Sequence, residues 1–306
     1  MYHTIRHITG FSYSSAICQS VMEIRMQPLT DGGQRCVAFK LATDPHARVF
    51  NYHDYLGNIV HHFDIPEPHT QLTITAESVV STSPAPALPD ALEYQAWSNL
   101  DAMAAAGDHS DMLSPSAFVR PSELLSELAL DLRVGRNHDP LTTLRELSSR
   151  INAAFEYCPQ STSVDSPIEE ALLDRQGVCQ DFSHIMIALA RGLGIPCRYV
   201  SGYLYHRLED EDRSAADATH AWVEALLPNL GWIGLDPTNN AFAGERHVRV
   251  AIGRDYADVP LTRGFFQGIT ESTLEVAVQV VPFDPPPPDE SIPDQTAIKA
   301  GWCTQQ

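Results

Sequence analysis

Residues 175–204 read RQGVCQDFSHIMIALARGLGIPCRYVSGYL, and the order of residue types in this stretch specifies a helix, both of its ends and the strand that follows. From Val178 onward, Phe182, Ile185, Met186, Leu189, Ala190 and Leu193 recur at intervals of three and four, which places them on one face of a helix. Gly194 followed by Ile195-Pro196 stops it, because glycine accepts the left-handed conformation at a helix end and proline cannot continue the turn. CRYVSGYLYHRL (197–208) then reads as strand-like. Cys179 therefore falls in the first turn of the helix, where unpaired N–H groups and the positive end of the helix dipole favour thiolate over thiol. By position alone a free cysteine is more often a small buried hydrophobe than a nucleophile, so its company decides.

Downstream, HAWVEALL (220–227) and GWIGLDPT (231–238) read as strands joined by the turn residues Pro228-Asn229-Leu230-Gly231. His220 opens the first strand and Asp236 closes the second just before Pro237, so an antiparallel pairing brings the imidazole and the carboxylate to one end of the hairpin. A single histidine, or a single Asp-Pro, is usually structural. A cysteine, a histidine and an aspartate together supply a thiolate to attack a carbonyl, an imidazolium to protonate the leaving amine and a carboxylate to fix the tautomer. Asp181, two residues after Cys179, suits the helix dipole and is expected to support the first turn. Trp222, Trp232, Tyr203 and Tyr256 are candidate cleft residues, although aromatic residues on strands serve the core first. Glu224 and Arg198 are candidates for an ion pair behind the site.

Upstream the character changes. Residues 4–13, 21–26, 35–42, 47–56, 58–65 and 71–80 are β-rich runs separated by turn signals, as in a sandwich or barrel, with Asp54-Tyr55-Leu56-Gly57-Asn58 reading as a hairpin connection. A Ser/Pro/Ala-rich stretch at 81–89 leads into helical spacing at 92–106 and 121–133. Asp139-Pro140 predicts an N-cap and first helical residue, with Leu141, Leu144, Leu147, Ile151 and Phe155 on one face. Ser166-Pro167-Ile168-Glu169 predicts a capping box whose helix runs to Gly177. These signals divide the chain into a β-sandwich-like domain (1–85), a helical connector (86–138), an α+β core (139–283) to which LEVAVQVVPF adds a strand, and a Pro-rich, mobile tail (284–306).

Three blocks, RQGVCQDFSHIMIALARGLGIPCRYVSGYL, ATHAWVEALLP and GWIGLDPTNN, resemble the motif blocks of the transglutaminase-like superfamily. The stretches 155–184 and 246–266, with the early DYLGN, look like the bacterial branch, of the cysteine-protease type, that sets a β-rich domain ahead of a papain-like core. The resemblance covers most of residues 1–280. It implies an α+β, papain-like core with Cys179 as nucleophile at a helix N-terminus packed on an antiparallel sheet, His220 as base and Asp236 as orienting acid. Animal transglutaminases use a tryptophan upstream of the cysteine at the oxyanion, and no Trp lies between Trp97 and Trp222. The backbone N–H of Cys179 and the hydroxyl of Tyr157 are the donors expected in its place. The expected activity is thioester chemistry on a peptide or glutamine-type amide, with hydrolysis ahead of transfer to an amine, and the rival is a binding module that keeps the shape without turnover.

The remaining composition bounds the partners. Twenty basic against 39 acidic residues give a net charge of −19, which disfavours nucleic acid and anionic membranes and leaves a peptide or protein as the expected substrate. The N-terminal residues alternate instead of forming a basic and then apolar leader, and no apolar window is long enough for a membrane span. Six well-separated cysteines without a CxxC pair indicate reduced thiols and a cytoplasmic setting. His3/His7 and His61/His62 lack a third ligand at suitable spacing, so no metal is assigned, and no phosphate-binding glycine loop calls for a nucleotide cofactor. The acidic cluster at 209–212 reads as a solvated loop, and the sequence carries no signal for oligomeric state.

Overall fold

A computed structural model describes residues 1–207 and 209–283, so the Pro-rich stretch 284–306 lies outside the described residues. The β-rich runs form six strands, β1 (Tyr2–Ile17), β2 (Gln19–Ile24), β3 (Gln34–Asp44), β4 (Phe50–His53), β5 (Ile59–Ile65) and β6 (His69–Thr82). Their apolar residues alternate, and Met22, Ile24, Phe63 and Ile65 of one layer share a core with Leu72, Ile74 and Ala76 of the other. Gly57, at φ 85°, makes the turn between β4 and β5, where the Asp54 carboxylate accepts the N–H groups of Leu56 and Asn58.

The helical part follows as α1 (Ala96–Ala106), α2 (Glu123–Asp131) and α3 (Pro140–Ala154). Asp139 caps α3 as its sequence predicts, accepting N–H bonds from Leu141 and Thr142. Then come β7 (Glu156–Tyr157), α4 (Ile168–Asp174), β8 (Gln176–Gly177) and α5 (Cys179–Gly192). The expected capping box at α4 is absent: Ser166 turns its hydroxyl to Glu170, and the N-cap position falls on Pro167, which has no side-chain donor or acceptor. That helix also ends earlier than Gly177, at Arg175 in the left-handed conformation, because the next residues pair with β7 in a short parallel ladder. Gly194, at φ 81°, ends α5, with the Ile195 N–H returning to the Ala190 carbonyl.

Five antiparallel strands complete the core: β9 (Cys197–Leu204), β10 (His220–Leu227), β11 (Gly231–Asp236), β12 (Ala241–Phe242) and β13 (His247–Gly253), in the order β12-β11-β10-β9-β13. Phe182, Ile185, Met186 and Leu189 of α5 share one core with Ala221, Val223 and Ala225, so the helix lies on one face of the sheet. The last strands, β14 (Thr262–Gln267) and β15 (Ser272–Phe283), correct the expected division at 139–283. They pair with β2 and β1, giving two four-stranded sheets in the orders β14-β2-β5-β4 and β15-β1-β6-β3. Alternation identifies a strand but carries no information about its partner, so the segment after about 260 reads as core from sequence and folds back onto the sandwich.

Candidate active site

The helix start, the hairpin end and β7 place four of the expected residues around one point. Cys179 is the first residue of α5 and is half-buried. Asp181 is the third residue of that helix, and its Oδ2 accepts the Val178 N–H at 2.8 Å and the Thr162 hydroxyl at 2.6 Å, which holds the 158–166 loop against the helix start. Gly177 has no room for a side chain, because a Cβ there would stand 2.8 Å from the Cβ of Asp181. Burial pushes the Asp181 carboxyl up despite those donors. Gln180 donates to the Val164 carbonyl at 3.0 Å and pins the same loop.

His220 and Asp236 are fully enclosed, and the imidazole Nε2 donates to Asp236 Oδ2 at 2.7 Å. Burial pulls the imidazole down, but the Asp236 carboxylate and the neighbouring Cys179 outweigh it and raise His220 to about 10. Asp236, although burial pushes it up, is held well below the ordinary carboxylate range by its donors and by His220. With Nε2 committed to Asp236, His220 Nδ1 has no hydrogen-bond partner, and it is the nitrogen left for the Cys179 thiol.

Two residues that the sequence reading passed over complete the surroundings of Asp236. His247, on β13, directs its Nε2 to Asp236 Oδ2 at 3.3 Å, while its Nδ1 accepts the Gly244 N–H at 3.2 Å. Asn239 donates from Nδ2 to Asp236 Oδ2 at 2.8 Å, and its Oδ1 accepts the N–H groups of Arg213 and Ser214 at 2.8 and 3.3 Å. Spacing along the chain relates the histidines only to their sequence neighbours, and His247 meets Asp236 only when β13 is placed beside β9. The only available signal was its position inside the block 246–266.

Ligand atoms of His220, Asp236 and His247 all lie within 4.8 Å of one another, a spacing a divalent ion can bridge. The protons argue otherwise. Gly244 donates to Nδ1 of His247, so its proton sits on Nε2, and both imidazoles present N–H and not a lone pair to the shared oxygen.

Tyr157 lies close enough for the Cys179 charge to add to the burial that pushes its hydroxyl up, and that hydroxyl accepts the Ala215 N–H at 3.4 Å. Tyr256 is half-buried, packs 6.2 Å from Tyr199 and feels Asp165 of the 158–166 loop, which puts it on the Cys179 side. Tyr203 is buried in the seam between sandwich and core, and Trp222, though buried, borders a cavity on the sheet face away from α5. Tyr203 is 1% exposed and its hydroxyl meets His7 Nδ1 at 2.9 Å between sandwich and core. Trp222 is 0% exposed and stacks beside His220, with a 5.1 Å edge contact to His247. Strand alternation sets which face a side chain takes, and both faces of this sheet are covered. On the face away from α5 lies a cavity of about 800 Å³, lined by Trp222, Trp232, Arg198, Glu224, Arg249 and His247 among others. There Arg198 Nε donates to Glu224 at 2.7 Å, the pair anticipated from sequence, with Arg249 at 3.3 Å on the other oxygen. In the acidic loop Glu209 and Glu211 are exposed, in keeping with the solvated reading, whereas Asp212 is half-buried and pairs with Arg246 at 2.7 Å. No helix of the described residues is long and apolar enough to cross a membrane.

Residues 128–237 match the family model described as the Transglutaminase-like superfamily, and residues 3–81 match the Bacterial transglutaminase-like N-terminal region. An uncharacterized protein of Mycobacterium tuberculosis (strain ATCC 25618 / H37Rv) is 36% identical over 307 residues, covering 92% of this chain and 93% of its own length. A protein-glutamine gamma-glutamyltransferase of Pseudomonas aeruginosa is 32% identical over 126 residues, 38% of this chain and 19% of that protein. The crystal structure of "a Putative Cysteine Protease from Cytophaga hutchinsonii" superposes with a TM-score of 0.68 at 22% identity, covering 94% of this chain and 95% of that one, which shows a shared fold.

Proposed function

The chain belongs to the transglutaminase-like superfamily, and from that premise we propose that it is a cysteine-dependent amide-bond enzyme working through a thioester. Cys179 is the nucleophile, His220 the general base and then acid, and Asp236 the orienting carboxylate. The observation that carries this reading is the enclosed His220–Asp236 pair at 2.7 Å, which leaves Nδ1 facing a cysteine at a helix N-terminus. Nδ1 takes the thiol proton and the sulfur attacks the amide carbonyl. The tetrahedral oxyanion is met by the Cys179 N–H, which is unpaired at the start of a helix, and by the Tyr157 hydroxyl. The imidazolium returns its proton to the leaving amine or ammonia. Water, deprotonated by the same nitrogen, then releases the acid.

The substrate class is a peptide or a glutamine-type amide, with hydrolysis preferred because water is always present. The name of the Pseudomonas relative favours a second reading, in which a primary amine replaces water, and entry of a labelled amine into the acyl product would support it. The five described cysteines are all free, which suits a reducing compartment, and the cytoplasm is our reading of where the protein works.

The test is the pH dependence of iodoacetamide alkylation at Cys179, followed by mass spectrometry, in the natural chain and in His220→Ala. Burial pushes Cys36 and Cys197 up to about 11 and about 12, so both serve as slow internal references. Reaction of Cys179 well below the free-cysteine value of about 8.5, lost in His220→Ala, is the expected result. Equal, ordinary reactivity in both proteins would instead favour a binding module. Tyr157→Phe should slow acylation about a hundredfold to a thousandfold, and an unchanged rate would remove Tyr157 from the oxyanion site.

A further inference from the structure

Asp236 is approached by two imidazoles, and the mechanism uses only one. The carboxylate receives five donors: His220, His247 and Asn239 Nδ2 on Oδ2, and the N–H groups of Thr238 and Asn239 on Oδ1. Thr238 and Asn239 belong to the turn that Asp236 itself begins, so if that turn shifts they shift with it. His247 comes from β13, which is separated from β11 by both β10 and β9. It is thus the one donor, apart from His220, that ties the carboxylate to a different element.

The sheet is shaped to let this contact form. Gly202 on β9 pairs with His220 and lies beside Leu204, the partner of His247. A Cβ at Gly202 would stand 2.2 Å from the Val248 carbonyl and 2.6 Å from the Trp222 ring. Its bare backbone lets the Trp222 ring lie across the strand and buttress His247 at 5.1 Å. The tautomer is set independently by the Gly244 N–H on Nδ1.

We propose that His247 is a positioning residue, whose neutral Nε2–H holds the Asp236 carboxylate at the rotation that His220 requires. The proposal rests on the triad reading above. The charged and titratable groups facing His247 are Asp236, His220 and Arg246. Burial pulls the imidazole down more than Asp236 pulls it up, which keeps it neutral near pH 7 and able to accept from Gly244. A second, protonated histidine would compete with His220 for the same negative charge, whereas a neutral donor orients that charge without neutralising it.

The experiment compares His247→Leu, which removes the donor, with His247→Gln, whose amide nitrogen can occupy the Nε2 position. The readout is the alkylation profile of Cys179 with iodoacetamide against pH, with thermal unfolding measured in parallel. In His247→Leu the reaction midpoint should move up toward the free-thiol value of about 8.5, and the rate near pH 6 should fall about tenfold. His247→Gln should stay within about twofold of the natural chain. A purely structural histidine would lower the melting temperature and leave the profile where it was, which would overturn the proposal. So would a Gln variant that shifts as far as the Leu variant. Should His247→Leu fail to fold, His247→Asn, too short to reach Asp236, carries the same expectation. A natural chain whose Cys179 behaves as an ordinary thiol would remove the triad reading itself, whereas an activated natural chain with an unmoved Leu variant would remove only the role of His247.

Discussion

The charge on His220 exists because Asp236 cannot give up its own. The carboxylate is buried among five donors, and the imidazole beside it is raised to about 10 from an ordinary 6.5. The sign of the pH effect follows. A group raised by folding contributes stability that is complete below its unfolded value, about 6.5, and lost as the pH climbs through about 10. Asp236 is shifted the other way, so its share is present above the ordinary carboxylate range and lost only in strong acid. Asp236→Asn should therefore lower the melting temperature most near about pH 6, with the gap to the natural chain narrowing toward about pH 10. A gap that stays constant across that window would mean that His220 is neutral in the folded protein. Cys179, His220 and Asp236 were legible as candidates in the sequence because each stands at the end of an element, where a cap or a turn announces it. His247 was not, because it meets Asp236 from a strand three places away in the sheet, a relation that no local pattern records.

At the scale of elements, the position of Cys179 depends on how α5 begins. Asp181 reaches back to the Val178 N–H, Thr162 reaches in from the neighbouring loop, and Gly177 leaves the space in which that carboxylate lies. Gly177→Ala would drive a methyl group into Asp181, a form of overpacking that costs roughly 1–3 kcal/mol. Urea unfolding should show a lower midpoint at unchanged slope, and alkylation of Cys179 should slow as the first turn loses its cap. Full retention of both would show that the loop yields without disturbing the helix. The helix start at Asp139 was readable because its side chain does the capping itself. The end of α4 was not, since the residue that takes the left-handed conformation there is Arg175 and the glycine two positions on serves a different purpose. Likewise Tyr203 reads as a cleft residue because alternation names a face without saying what covers it.

Across the whole molecule, the sandwich and the core are held as one piece by polar side chains standing in for a missing strand. β13 is an edge, and an edge strand carries unpaired N–H and carbonyl groups. The Asn58 amide takes both groups of Ile252, donating to its carbonyl and accepting its N–H, each at 2.8 Å. Gln34 does the same for Arg249, also at 2.8 Å on each side. DYLGN is therefore more than a hairpin turn, since its last residue docks the sandwich onto the core. β14 and β15 add to this by returning the chain to the sheets it began with, so each sheet of the sandwich is completed by a strand that follows the core in sequence. This topology predicts one cooperative unfolding transition. Calorimetry should give a single peak whose calorimetric and van't Hoff enthalpies agree. Asn58→Ala leaves two half-buried backbone groups of Ile252 without these partners, at a cost of at most about 1–3 kcal/mol each. It should lower the melting temperature of that single peak and not split it. Two resolved peaks in the natural chain would mean that sandwich and core fold independently, and that these amide contacts only rest between them.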